Sequence, residues 1–167
     1  MKSLGILAGA ALLLAACSDS QPEMLRISDV SVQADLAAVG SREAVGYWHN
    51  LSADLETAIA TQFAARIDPT GPSIQVDVDE LSLNSPFASG ATAETAVLTG
   101  RVDLVSPAET TISSYNVTAR AQDVQDFLPA GSNLVSVPPT SAEYYQAIVQ
   151  AFARGVAITL DGDQAES

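Results

Sequence analysis

Two periodicities of apolar residues divide the chain into strands and helices. From Ile74 to Asp79 apolar and polar residues alternate strictly, which predicts a strand with one face toward a core and one toward water. Between Asn50 and Ile67 apolar residues recur at about every fourth position, which predicts an amphipathic helix. The stripe of this helix consists of Leu51, Leu55, Ala58, Ile59, Phe63 and Ile67.

Three further segments have the two-residue period of strands. They are 25–32, 95–105 and 112–121. The apolar phase switches near Ser28 in the first of them and near Asp79 in the strand that starts at Ile74, so we predict a bulge or kink at each place. Residues 106–110 form a hairpin-length connection between the last two segments, which should therefore pair antiparallel.

The last pattern along the chain is again helical. Thr140 and Glu143 form a capping box after a proline pair, and this box predicts a helix from about Ser141 to about Leu160. The stripe of this helix consists of Tyr145, Ile148, Val149, Phe152 and Val156. Residues 162–167 are polar and are predicted to form a frayed tail.

The predicted order is strand, helix, three strands, helix. Each strand has one apolar face and each helix one apolar stripe, so two layers are enough to bury them. We therefore predict a single α+β domain over residues 24–161. In it, an antiparallel-rich sheet of about four strands carries two helices packed on one face.

The apolar residues at the amino terminus follow neither the two-residue period of a strand nor the helical period. Lys2 precedes an uncharged apolar run over 4–14, and small residues then lead to Cys17. A membrane-spanning helix needs about 20 apolar residues, so this run is too short to be one. A positive start, a short apolar run and a small-residue end are typical of a secretory signal, which we place at residues 1–16.

The four residues Leu14-Ala15-Ala16-Cys17 resemble the lipobox of bacterial lipoproteins. The resemblance implies cleavage between Ala16 and Cys17 and a lipid anchor, a diacylglycerol with palmitate-type chains, on the Cys17 thiol, so that a membrane is a partner. Residues 17–23 would then be a lipidated tether. Ser18 stands where an aspartate signals inner-membrane retention in enteric bacteria. The resemblance therefore implies the periplasmic face of the outer membrane, with the inner membrane as the alternative.

Charge narrows the choice of partners. The chain has 20 acidic and 7 basic residues, and removal of the signal with Lys2 changes the formal charge from −13 to −14. A negative field of this size repels phosphate backbones, so we predict no nucleic-acid partner. The single cysteine excludes a disulfide bond within the chain.

No motif predicts catalysis, a cofactor or a metal site. His49 is the only histidine, and the chain has no Gly-x-Ser-x-Gly motif and no phosphate-binding glycine loop. Asp77, Asp79 and Glu80 cluster at a strand end, and 161–163 resembles part of a calcium loop. The simpler interpretations are the wet face of a strand and a solvated helix end, since the spaced ligands of a calcium loop are missing. We therefore predict a protein that is not an enzyme and needs no cofactor or metal.

Three aromatic residues are candidate contacts for a protein partner. Trp48 precedes the first helix and has a core position as its alternative, whereas Phe87 lies in a loop marked by proline and glycine. Tyr144 is predicted to be partly exposed, because it and Tyr145 cannot both face the core equally.

Two classes of function follow from this sequence. The first is a non-enzymatic interaction or structural role of a membrane-anchored lipoprotein in the cell envelope, with a protein partner. The alternative is a lipid- or small-ligand-binding auxiliary component of an envelope transport system. The mixed strand-helix layout resembles small auxiliary envelope lipoproteins, and the alternative requires a cavity between helices and sheet lined by residues such as Phe63, Leu98 and Phe152.

Overall fold

The computed structural model describes residues 24–34, 49–82, 96–139 and 141–166, and the elements there follow the predicted order. The strands and helices are β1 (Val30–Ala34), α1 (Leu51–Gln62), β2 (Ser73–Ser82), β3 (Val97–Val105), β4 (Thr111–Arg120), α2 (Ala121–Val124) and α3 (Ala142–Glu166). Two short 3-10 helices, Ala64–Arg66 and Gln125–Phe127, follow α1 and α2. The α+β class is confirmed.

The described strands form one sheet in the order β1-β2-β3-β4. β1 lies parallel to β2, with Val30 opposite Ile74, and α1 is the crossover that a parallel pair requires. β2 pairs antiparallel with β3, and β3 with β4. The prediction of a mostly antiparallel four-stranded sheet is confirmed, including the hairpin between β3 and β4.

Both predicted interruptions of the strand pattern are present. The register between β2 and β3 shifts between Val78 and Glu80, so Asp79 is the bulge that the phase switch indicates. In the first segment, Ile27 makes an isolated parallel bridge with Ile67, and β1 starts only at Val30 after the bend at Ser28. The bend allows the apolar residues on both sides of it to be buried.

The helices differ from the prediction at their ends. α1 stops at Gln62, and the tighter 3-10 turn after it takes Ile67 out of the stripe, so Ile67 is 49% exposed and not in the core as predicted. α3 begins with Ser141 as its cap, since the Ser141 Oγ accepts the backbone N–H of Tyr144 at 3.1 Å. Thr140, the predicted cap, is outside the described residues. The predicted tail is helical through Glu166.

The extension of α3 is explained by an ion pair. Arg66 Nη1 and Nη2 lie 2.5 and 3.2 Å from the two carboxylate oxygens of Asp161, and the Arg66 guanidinium stacks 4.5 Å above the Phe63 ring. Two parallel N–H···O bonds fix the geometry of such a pair better than one. The pair ties the carboxyl-terminal part of α3 to the 3-10 helix that follows α1, where sequence patterns predict only solvated residues.

The helix layer covers one sheet face, and the core between the layers is packed. At its centre Gly100 of β3 leaves room for Phe152 of α3, because a Cβ on Gly100 would lie 3.1 Å from the Phe152 Cζ atom and 3.0 Å from the Asp77 carbonyl oxygen. Near the sheet edge a Cβ on Gly155 would lie 3.1 Å from Val117 Cγ1. The helices therefore approach the sheet as closely as glycine permits.

Candidate functional site

A groove of about 490 Å³ runs along the surface between α1 and α3. Asp54, Thr57, Ala58 and Thr61 of α1 form one wall, Tyr145, Gln146, Val149 and Gln150 of α3 form the other, and Phe127 closes one side. We call it the helix groove. Its volume lies in the range of small-ligand and peptide sites, but it is open to solvent along its length.

A hydrogen bond joins the two walls of the helix groove. The Tyr145 hydroxyl donates to the Asp54 carboxylate, which stands in the first turn of α1, where the helix dipole favours a negative charge. Burial, followed by the hydrogen bond to Asp54 and its charge, raises the pKa of Tyr145. The phenol therefore keeps its proton at neutral pH and acts as a fixed donor, not as a base or nucleophile.

The two threonines of the groove are acceptors. The Thr57 hydroxyl donates to the Ala53 carbonyl at 2.8 Å, and the Thr61 hydroxyl donates to the Thr57 carbonyl at 2.7 Å. Each hydroxyl has a single hydrogen, so both can only accept from a bound group. Together with Asp54 they make the α1 wall rich in acceptors and fit it to a partner that carries N–H donors.

The other face of the sheet is polar and satisfies its own charges. On it Arg101 Nε donates to Asp103 Oδ1 at 3.1 Å, and the Ser114 hydroxyl donates to the same carboxylate. The hydrogen bond from Ser114 is the main cause that lowers the pKa of Asp103, and the hydrogen bond and charge of Arg101 lower it further. The Arg101 side chain is 57% exposed and that of Asp103 is 27% exposed, so the pair lies on the solvent-facing side of the sheet.

Of the three residues predicted for an interface, the structure describes only Tyr144. Trp48 and Phe87 lie outside the described residues, as do Ala16 and Cys17. Tyr144 is 0% exposed, so the prediction of a partly exposed side chain is wrong. Val124 and Val137 of the segment before α3 belong to the same buried cluster as Tyr144 and Tyr145, so this segment contributes apolar surface to the core.

Three of the residues considered for catalysis or metal binding, His49, Asp77 and Asp161, lie at the surface, whereas the side chains of Asp79 and Glu80 are outside the described part. His49 is exposed in the turn before α1, and Asp77 is exposed on the polar sheet face. Asp161, from the segment resembling a calcium loop, pairs with Arg66 within a helix. Across the described ranges, no three His, Cys, Asp or Glu side chains lie close enough together to hold a metal ion.

The residues named for an internal ligand cavity are fully buried. Phe63, Leu98 and Phe152 are each 0% exposed, and none of them lines the helix groove. The helix groove is a feature that sequence analysis missed. Its pairing of Asp54 with Tyr145 joins positions 91 residues apart, and no local pattern carries that information.

The helices in the described part of the chain include none that is long and apolar enough to cross a membrane. A scan against protein-family models finds no match to the sequence, and neither does a search of curated proteins.

Two solved structures have a distant likeness to this fold. The first is a candidate lipoprotein from Caulobacter crescentus CB15, with a TM-score of 0.42 and 14% identity over 81% of this chain and 92% of the other. The second is a PelC dodecamer from Paraburkholderia phytofirmans, with a TM-score of 0.37 and 16% identity over 77% of this chain and 91% of the other. Scores this low carry no functional comparison.

Proposed function

We propose that this chain is a lipid-anchored protein of the cell envelope that binds a protein partner through its surface and performs no catalysis. The packed core is the observation that carries the proposal. Phe152 fills the space over Gly100, and the side chains that would line an internal ligand cavity have no exposed surface. A lipid carrier needs a hollow interior, which a packed core does not offer. A protein that binds a partner needs only a site on its surface, such as the helix groove.

The anchor in this proposal rests on the sequence alone. Cleavage before Cys17 and acylation of its thiol would hold the domain at the periplasmic face of the outer membrane, as Ser18 implies. A lipid anchor also accounts for the only cysteine of the chain. Mass spectrometry of the native protein tests it, since an unmodified thiol or an amino terminus at Met1 contradicts it.

The helix groove is the surface that we assign to the partner. Its α1 wall offers the Asp54 carboxylate and the lone pairs of Thr57 and Thr61, and Ala58 and Val149 supply apolar area. A segment of a partner protein with arginine, lysine or amide donors matches this wall. The negative formal charge of the chain favours the same partner chemistry by long-range attraction.

Site-specific photocrosslinking in cells tests this assignment. A photoreactive amino acid at Gln146, on the groove wall, is expected to crosslink a specific protein, and the yield should fall when Asp54→Asn removes the carboxylate charge. The same amino acid at Gln75, exposed on the polar sheet face, is the matched control. Equal crosslinking from both positions, or none from Gln146, contradicts the proposal.

A further inference from the structure

The described chain enters the domain at one end of the sheet. The backbone N–H of Ser28 donates to the Pro72 carbonyl at 2.8 Å, and Ile27 bridges to Ile67, so the chain enters the domain beside the turn between α1 and β2. Ser73 at the start of β2 lies opposite Val105, so the hairpin 106–110 is at the same end. We call this end, with Met24, the anchor end.

Exposed apolar side chains collect at the anchor end. Of the five large hydrophobic residues that are exposed in the described ranges, three lie there: Met24 at 67%, Ile67 at 49% and Ile112, the second residue of β4, at 59%. Met24 and Ile67 belong to the side of β1, whereas Ile112 is on the opposite edge strand. Three strand spacings separate these edges, so the apolar residues span a base of about 14 Å.

The proposed tether is short and keeps the anchor end close to the membrane. Met24 follows Cys17 by seven residues, which extend to at most about 25 Å. A flexible chain of that length is typically about 15 Å from end to end. Confinement at this distance gives the anchor end a high effective concentration at the lipid surface, so a few apolar contacts suffice to orient the domain.

The Asp54–Tyr145 end of the helix groove lies away from the anchor end, whereas Thr61 lies nearer to it. Tyr145 and Asp161 are separated by 16 residues of α3, a rise of about 24 Å, and Asp161 pairs with Arg66 close to Ile67. The Asp54–Tyr145 bond and the Asp161–Arg66 pair are therefore about that far apart along α3. A domain that rests on its anchor end presents the helix groove to the periplasm.

We propose that the anchor end is a membrane-contact surface, in which Met24, Ile67 and Ile112 touch the headgroup region of the bilayer. The proposal rests on the lipid anchor of the proposed function. The lipid chemistry it requires is zwitterionic, since Asp68 and Glu109 at this end oppose anionic headgroups and the exposed Arg26 beside Asp68 offsets only one of the two charges. The contact fixes the orientation of the domain, and the acyl chains supply the affinity.

Depth measurements on the lipidated protein in zwitterionic phosphatidylcholine vesicles test this orientation. Because Cys17 is acylated, Ala108→Cys in the hairpin and Val135→Cys, 92% exposed in the segment before α3, each give a single fluorescent label. A nitroxide on the lipid headgroup, which quenches at short range, is expected to quench the label at 108 several-fold more than the label at 135. Equal quenching, or the reverse, overturns the orientation.

Variants separate the apolar contact from the tether. Ile67→Ser with Ile112→Ser is expected to lower quenching of the label at 108 several-fold, whereas Val135→Ser, the matched change at a residue away from this end, leaves it unchanged. An unchanged signal in the double variant overturns the contact. Quenching that rises and falls with the protein-to-lipid ratio assigns the surface to a second copy and overturns it too. A protein that fails to float with vesicles contradicts the anchor itself.

Discussion

Gly100→Ala probes how tightly the core is filled. The new methyl would lie 3.0 Å from the Asp77 carbonyl oxygen and 3.1 Å from Phe152 Cζ, and neither neighbour has free space, since Phe152 is fully buried and Asp77 is held in the ladder. Overpacking of this kind costs about 1–3 kcal/mol. Alanine also lowers the conformational entropy of the unfolded chain, which stabilises the folded state by about 0.4–1 kcal/mol. The free energy of unfolding should therefore fall by about 1–2 kcal/mol in total.

Urea unfolding of the mature protein, followed by circular dichroism, measures this loss. With an m-value of about 2 kcal/mol/M, the midpoint should fall by about 0.5–1 M. Gly162→Ala is the matched control, because its Cβ meets nothing within 4 Å and the residue lies inside α3. That change should stabilise the protein by about 0.5–1 kcal/mol, the usual gain for alanine in a helix.

A double-mutant cycle identifies the neighbour responsible. Phe152→Leu removes the ring tip, so the cost of Gly100→Ala should shrink by about 0.5–1 kcal/mol in that background without vanishing, because the Asp77 oxygen still opposes the methyl. If Gly100→Ala is neutral or stabilising while Gly162→Ala behaves as expected, the core is loose at this point. The main argument against an internal ligand cavity then fails with it.

Three further outcomes are expected. Ser114→Ala should raise the pKa of Asp103 in an NMR titration, and an unchanged pKa refutes the role of this hydrogen bond. Because the wild-type pKa is lowered, the bond stabilises the fold above the pKa of the unfolded state, and this stabilisation is lost as the pH falls through the folded-state pKa. Burial raises the pKa of Tyr144 to about 12, so stability should fall as pH rises above about 10 and the phenol ionises on unfolding, and denaturant midpoints that stay constant from neutral pH to pH 11 contradict this. A double-mutant cycle of Arg66→Met and Asp161→Asn should give a coupling of about 0.5–1 kcal/mol that weakens in salt, whereas zero coupling would show that the pair does not hold α3.

The fold was predictable where one residue pattern decides the structure. Strict alternation located β2, and the phase switch at Asp79 located its bulge, because a shift of one residue would turn the apolar face to water. The parallel pairing of β1 and β2 was not specified, although a helix between two strands allows it. Periodicity gives the buried face of an element but not the neighbour that covers it.

The candidate site was not predictable for the same reason. The Tyr145–Asp54 bond and the Arg66–Asp161 pair depend on which turns of α1 and α3 meet, and that is settled only by packing of both helices on the sheet. Tyr144 shows the converse error. The prediction assumed that α3 buries one apolar stripe, which holds Tyr145 but not Tyr144. In the structure the segment before the helix adds apolar residues to the same core, and both tyrosines are buried.

The pairing of β1 with a strand more than 40 residues later has a consequence for the secretion route proposed above. If the amino terminus crosses the membrane first, Val30 emerges before its partner Ile74, so β1 would stay unpaired until α1 and β2 have followed. Cleavage and acylation at Cys17 would then take place before the sheet is complete.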